Sequence, residues 1–369
     1  MAATETAAQR PTVSVIVPAR NEEGSLGACL ESVAAQTGVA FEVIVVDDHS
    51  TDRTREIASS FPAVRVIEAG ALPPGWTGKN NAVAAGAREA RGEWLLFTDA
   101  DTVHLPGSLA GALAEARKNG ADLLSYSPEQ IVRTFWEKAV MPVIFAELAS
   151  RYRPRDVSDP NSPTAAANGQ YIFIKRTTYD AVGGHAAQAG EILEDVALAR
   201  AVKRSGRKIV FRYGADAVRT RMYRNFAQLR EGWTKNLALL FPSPRRRALQ
   251  ILLAWLLAWT APVPAVVLTV HRPAVIRGFV LALFGIPFMR LGGYIRRANF
   301  SLDVELLAMI FGPPAFAYLL CRSARAHKHG TVSWKGRSYT PPSASQPSAR
   351  VSGPATSLAT ENRELRAEN

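Results

Sequence analysis

The sequence predicts an α/β domain on a mostly parallel sheet, followed by apolar helices long enough to cross a bilayer. Three observations carry this expectation. Short, continuous apolar runs alternate with helical periodicity from Val13 onward; strands of that kind are buried on both faces, as in a sheet covered by helices on each side. Acidic clusters stand directly after several of these runs. Beyond Pro244 the text changes to long stretches without charge.

Val13–Val17 is the first apolar run and ends at Pro18. Ser25 then opens a helix whose Leu26, Cys29, Leu30 and Val33 follow the helical period. Val43–Val46, Val64–Ile67 and Trp94–Phe97 read as further buried strands, with helices over Asn80–Ala90 and Gly107–Lys118 between and after them. Met1–Arg10 lacks the apolar core of a cleaved secretory signal. Cys29 and Cys321 are too few for a disulfide framework or a Cys-rich zinc site.

The formal charge of +12 conceals a division. Residues 1–200 carry 18 Lys and Arg against 25 Asp and Glu, whereas residues 201–369 carry 26 against 7. A basic half beside an acidic one fits nucleic acid or a membrane, and hydropathy chooses. Arg245, Arg246 and Arg247 precede Ala248–Val270, which has no charged residue and exceeds the ~20 apolar residues a span needs. Trp255 and Trp259 lie within it, and no known nucleic-acid motif accompanies the charge. Nucleic acid is therefore not an expected partner.

Two further apolar runs follow, the short Gly278–Met289 and Leu306–Cys321, the latter interrupted by Gly312, Pro313 and Pro314. Positive charge favours the cytoplasmic side for Arg245–Arg247, for Arg290, Arg296 and Arg297, and for the cluster from Arg322 to Arg337. A third segment that re-enters, bent at Gly-Pro-Pro, would satisfy all three groups. Upstream, Met222, Phe226, Leu229, Trp233, Leu237 and Leu240 recur at about helical spacing among basic residues. That pattern reads as an interfacial helix on an anionic membrane surface. The Ser-, Pro- and Ala-rich stretch from Pro341 is expected to be disordered.

The chemistry-bearing residues fall at strand ends, where open α/β sheets bind ligands. The first cluster is Pro18-Ala19-Arg20-Asn21-Glu22, and the second runs from Asp47-Asp48 to Thr54. Aspartates there can accept hydrogen bonds from a nucleobase or a ribose, although Ser50 or Asp52 also suits a helix cap. The third cluster is Thr98-Asp99-Ala100-Asp101, directly after an apolar strand. Two carboxylates at that spacing suit a hard divalent cation that keeps substrate phosphates and water as its other ligands. His49, His104 and His185 have no metal-ligand spacing and read as pocket or surface residues.

The run from VSVIVPARNEE through FEVIVVDDHSTDRT and GKNNA to GEWLLFTDAD resembles family-2 glycosyltransferases of the GT-A fold. Asn168-Gly169-Gln170, Tyr171–Ile174, Arg176, Gly183-Gly184 and Glu194-Asp195 continue the likeness in order, over about residues 12–240. Pro74-Gly75-Trp76-Thr77-Gly78-Lys79 and Trp334-Lys335-Gly336-Arg337-Ser338-Tyr339 are similar to a membrane-attached subset associated with hopanoids or carotenoids.

The resemblance implies roles. Asp48, with Asp47, Pro18, Ala19 and Glu22, would hold the base of a nucleotide-sugar, a UDP-sugar by preference. Asp101 and Asp99 would hold Mg²⁺ or Mn²⁺ on the diphosphate, with Lys79, Arg221 and Arg224 on the phosphate side. Asn168 and Gly169 would border the acceptor, and Asp195, beside Glu194, would be the general base of an inverting transfer. Taken alone, Glu194 and Asp195 also suit the first turn of a helix over Val196–Lys203. The Arg221-Met222-Tyr223-Arg224-Asn225 segment lacks the Trp that processive relatives carry, with Trp233 a candidate substitute, and Ala84 stands where relatives often have Asn.

The implied organisation is a flexible start (1–11), a GT-A domain (12–220), a basic interfacial segment (221–247), transmembrane or re-entrant helices (248–322), a basic juxtamembrane segment (323–340) and a tail (341–369). The expected protein is a multi-pass inner-membrane enzyme with a cytoplasmic active site, glycosylating a membrane lipid. A polyprenyl-phosphate glycosyltransferase and a non-catalytic nucleotide-sugar-binding membrane protein are the alternatives.

Overall fold

The computed structural model describes residues 10–298, 300 and 304–339; the expected tail and most of the flexible start lie outside these. The first half alternates strand and helix: β1 Val13–Ala19, α1 Leu26–Ala34, β2 Phe41–Asp47, α2 Thr54–Ser59, β3 Val64–Glu68 and α3 Gly78–Glu89. There follow β4 Trp94–Phe97, β5 Thr102–His104, α4 Ser108–Asn119, β6 Leu123–Ser127 and β7 Glu129–Gln130. Next come α5 Phe135–Arg151, α6 Pro154–Ser158, β8 Ile172–Lys175, α7 Arg176–Ala181, α8 Glu194–Arg204, β9 Ile209–Tyr213 and β10 Val218–Thr220. The remainder comprises α9 Phe226–Leu240, α10 Pro244–Thr260, α11 Pro262–Leu268, α12 Ala274–Arg297, α13 Glu305–His329 and a hairpin of β11 Val332–Trp334 and β12 Arg337–Tyr339.

Seven strands form one sheet in the order β3-β2-β1-β4-β8-β6-β9. Only β8 runs against its neighbours; the other pairs are parallel. Alternate side chains feed opposite cores. Val13, Val15 and Val17 pack with α1 and α4, while Ile16, Ile44, Val46 and Leu95 pack with α3 and α8. The register pairs Ala19 with Asp47 and Ile16 with Phe97, so the acidic strand ends emerge side by side.

Among the described residues three segments are long and apolar enough to cross a membrane by length and composition: Pro244–Leu268, Ala274–Arg297 and Glu305–His329. The third differs from expectation. No break occurs at Gly-Pro-Pro; α13 is one continuous helix with Pro313 and Pro314 inside it. A proline at 314 has no N–H to give the carbonyl four residues back, and the Trp255 indole N–H donates to that Ile310 oxygen instead, at 3.1 Å. Gly312 permits close packing of α13 on α5, since a Cβ there would come 2.4 Å from Val143 Cγ2 and 2.5 Å from the Ala139 oxygen.

The apolar stripe expected to face lipid also lies elsewhere. Leu229, Trp233, Leu237 and Leu240 of α9 are buried in a helical core with α5 and α13. Polar bonds fix the same contact: Ser323 Oγ donates to the Thr234 oxygen at 2.6 Å and accepts from the Ala238 N–H at 2.8 Å. Periodicity identified the buried face correctly, but the surface covering it is protein.

Candidate active site

The two aspartates after β2 separate. Asp47 turns back on its own loop, its Oδ1 accepting from the Ser50 N–H at 3.1 Å, and it is not among the residues lining the cavity. Asp52 is likewise absorbed locally, accepting from the N–H groups of Glu23 and Thr54 at 3.0 Å each. Asp48 alone of the pair faces the cavity, beside Pro18, Ala19 and Glu22. It is buried, with a side chain 6% exposed. Of the two residues expected at the site, Asp48 reaches the cavity and Asp47 does not.

Beyond β4, Thr98 Oγ1 donates to the Gln170 oxygen at 2.9 Å and fixes the exit of the strand. Lys79, in the first turn of α3, lies 2.8 Å from Asp99 Oδ1 and 2.8 Å from Glu194 Oε1. Burial alone would lower the Lys79 pKa, but the two carboxylates reverse this and hold it well above its ordinary value. Asp101 Oδ1 is buried with no hydrogen-bond partner among the described residues. Burial, then Asp99 and Glu22, pushes its carboxyl up to about 7.

An orphaned, buried carboxylate oxygen beside a second acid fits a divalent cation. Among the described residues no group of three or more His, Cys, Asp or Glu could hold a metal alone. A hard cation there would have to complete its shell from phosphates and water rather than from a protein cage.

Glu194 and Asp195 open α8 and diverge. Burial raises the Glu194 pKa, but Lys79 and Lys235 outweigh it and hold it low. Asp195 Oδ2 accepts from the Gly169 N–H at 3.0 Å, and Oδ1 from the Val196 N–H at 2.8 Å. Burial and the adjacent Glu194 charge push Asp195 up to about 6. Asn168 steadies the Gly169 peptide, its Oδ1 accepting from the Gln170 N–H at 3.0 Å.

Arg221 makes a two-bonded pair with Glu137, at 3.0 and 3.2 Å, and Arg224 donates to the Gly24 oxygen. Both line the cavity but are committed to these partners. Buried Trp233 lines it too, its indole N–H directed at the Met141 sulfur, 3.3 Å away. His104 and His185 are buried and neutral, their pKa values lowered to about 4 by burial.

Sequence reasoning read the hairpin after α13 as part of a basic juxtamembrane segment and gave it no place in the site. Arg337 makes a two-bonded contact with the Asp48 carboxylate, and Lys335 pairs with Glu22. Lys235 on α9 also reaches this region, its Nζ 5.4 Å from the Trp334 ring centroid. The available signal was the density of cations in a four-residue turn, Trp334-Lys335-Gly336-Arg337.

Asp48, Glu22, Lys79, Asp99, Asp101, Glu194, Asp195, Arg221, Arg224, Lys235, Lys335 and Arg337 border one cavity of about 730 Å³. The acidic part of its lining is Asp48, Asp99 and Asp101; the apolar part is Phe145, Leu148, Tyr152, Leu193, Trp233 and Leu240, which belong to or pack against the helical core of α5, α9 and α13. Asp195 lines the same cavity.

Residues 14–177 match the family model described as Glycosyl transferase family 2. The 4,4'-diaponeurosporenoate glycosyltransferase of Staphylococcus aureus (strain USA300) is 28% identical over 338 residues, covering 89% of this chain and 88% of that protein. Among solved structures, mannosyltransferase PcManGT from Pyrobaculum calidifontis, in complex with GDP-Man and Mn²⁺, is similar at 16% identity and a TM-score of 0.48. That match covers 86% of this chain and 87% of the other. Residues 1–349 of S. aureus TarS, in complex with UDP-GlcNAc, match at 18% identity and a TM-score of 0.43, covering 86% and 92%. The family match, with the strand order and the acidic strand ends, makes residues 14–177 a family-2 glycosyltransferase domain of the GT-A fold, and the chain a glycosyltransferase.

Proposed function

We propose that this enzyme transfers a sugar, with inversion, from a UDP-sugar to a hydroxyl of an apolar membrane lipid of the carotenoid type. The observation that carries this reading is the single cavity whose lining combines acidic residues, apolar residues and Asp195. A nucleotide-sugar suits the acidic part of that lining and a polyene or similar lipid the apolar part. The apolar lipid class follows the S. aureus relative, whose named substrate, 4,4'-diaponeurosporenoate, is a carboxylate; the hydroxyl acceptor is inferred from Asp195, since a carboxylate would need no base.

Asp195 is the base in this scheme. Its Oδ atoms are oriented by two backbone N–H groups, and a pKa of about 6 lets it take a proton near neutral pH while remaining ionised there. Glu194 acts through Lys79, holding the ammonium beside Asp99. Asp101 and Asp99 would hold Mg²⁺ or Mn²⁺, which when bound neutralises charge on the leaving diphosphate. The apolar walls exclude water from the sugar's anomeric carbon and so favour transfer over hydrolysis.

The same reading places the active site on the cytoplasmic face of the inner membrane. Arg245 and Arg246 are exposed at the start of α10, and Arg296 and Arg297 close α12. Two crossings, α10–α11 and α12, fit these charges. Helix α13 leads from residues packed near α5 to a hairpin in the active site, which favours its lying along the catalytic domain without crossing. Exposed arginines at the base of α10 would meet anionic headgroups.

The test incubates membranes containing the full chain with Mn²⁺ and radiolabelled nucleotide-sugars, then extracts lipid. Label enters the organic phase from one UDP-sugar and disappears with Asp101→Ala. No lipid label from any donor would sink the reading.

A further inference from the structure

The β11–β12 turn borders the cavity beside its acidic residues, with Trp334, Lys335 and Arg337 among the lining residues. Lys335 and Gly336 take positive φ values of 46° and 75°, the conformation of a tight hairpin turn. The turn therefore projects two cations together. Lys335 Nζ meets the Glu22 carboxylate and donates to the Arg20 oxygen at 3.2 Å. Arg337 forks onto Asp48, with Nη2 2.9 Å from Oδ1. Arg20 braces the other side, its Nη1 donating to the Asp48 backbone oxygen at 2.6 Å.

Two points make this more than a surface ion pair. First, the Arg337 guanidinium lies where a base-binding carboxylate would meet its ligand, because Asp48 is 6% exposed and Arg337 covers it. Second, three other cations that line the cavity are already held: Lys79 by Asp99 and Glu194, Arg221 by Glu137 and Arg224 by the Gly24 oxygen, while Lys235 lies with its Nζ over the Trp334 ring of the same hairpin. A nucleoside diphosphate entering among Glu22, Asp48, Asp99 and Asp101 adds negative charge to an acidic place. Lys335 and Arg337 lie beside those acids and are carried on a hairpin of two three-residue strands. A guanidinium fork that fits a carboxylate also fits a phosphate.

We propose that Lys335 and Arg337 are donor-binding residues that exchange Glu22 and Asp48 for the diphosphate of the incoming nucleotide-sugar. In the exchange Asp48 is released to accept from the nucleobase or ribose, and the hairpin becomes the wall that closes the donor site. No covalent step is involved. This rests on the nucleotide-sugar reading above and adds to it the residues that recognise the diphosphate.

The test measures UDP binding to the full chain in detergent with MnCl₂ present, by titration calorimetry. Arg337→Ala and Lys335→Ala are each expected to weaken UDP binding about tenfold or more, the loss of one charge-assisted contact. Arg337→Lys, which keeps the charge without the fork, should recover part of the loss. Arg337→Gln serves as a second variant, and an unchanged melting midpoint shows that weakened binding is not unfolding. Unchanged or tighter UDP binding by the alanine variants overturns the proposal; tighter binding would make Arg337 only a competitor for Asp48. In that case UDP binding by the unsubstituted chain leaves the nucleotide-sugar reading standing. Failure of the unsubstituted chain to bind UDP or GDP overturns both.

Discussion

Lys79 Nζ lies 2.8 Å from Glu194 Oε1, and this contact ties the first turn of α3 to the first turn of α8. The same ammonium reaches Asp99, so one lysine keeps two carboxylates from repelling each other and adds positive charge near the proposed phosphate site. Lys79→Ala removes both contacts and should lower kcat/KM for the donor by about 10²-fold, the scale of losing one preorganised charge. Glu194→Gln leaves Lys79 on Asp99 and should lose less. Initial rates of label transfer at varied donor concentration check the ranking; equal effects would mean that Glu194 has a role of its own.

Asp195, as the proposed base, gives the pH dependence its sign. A base works only when ionised, and this carboxyl is pushed up to about 6 by burial and Glu194. The rate should therefore fall about tenfold per pH unit below about 6 and level off above it. The folded state holds this proton more tightly than the unfolded chain does, so the group's contribution to stability is fully present below the ordinary value of 3.8. It is lost as pH rises toward about 6. Asp195→Asn should then reduce kcat by at least about 10²-fold while raising the melting midpoint at pH 7.5. Lower activity with lower stability would instead indicate damage to the α8 turn.

Asp101 offers a separate measurement. Its Oδ1 lacks a partner among the described residues, so Asp101→Asn removes a proposed metal ligand without breaking a hydrogen bond to that oxygen. Chelation with EDTA should abolish transfer by the unsubstituted chain, and Mn²⁺ should restore it. In Asp101→Asn, restoration should require at least about tenfold more Mn²⁺, in line with loss of a group that sets metal affinity. Full activity in EDTA would remove the metal from the mechanism.

Much of this arrangement was legible in the sequence because it is local. Val13–Val17, Val43–Val46 and Trp94–Phe97 each contain a strand core, and the residues just beyond them reach the cavity because a parallel sheet aligns its carboxyl ends. What was not legible depends on distant partners. Asp47 and Asp48 are indistinguishable as letters; the Ser50 N–H and the left-handed His49, with φ 57°, turn one away and leave the other to Arg337, 289 positions later. The α9 stripe declared a buried face but not whether lipid or α5 and α13 would cover it. The Gly-Pro-Pro read as a break because the donor that repairs it stands on another helix.

That donor supports the last prediction. Trp255 on α10 supplies the hydrogen bond that Pro314 cannot, at the Ile310 oxygen of α13. Trp255→Phe keeps a large apolar ring and removes only the N–H, so its effect isolates the bond. A carbonyl left unsatisfied in a helical interior costs about 1–3 kcal/mol, and the melting midpoint in detergent should fall accordingly. Pro314→Ala restores a backbone N–H to the helix, so Trp255→Phe should cost much less in that background. A double-mutant cycle measures the difference. Additive effects of the two substitutions would show that the indole does not serve the carbonyl the proline leaves bare, and the continuity of α13 would need another cause.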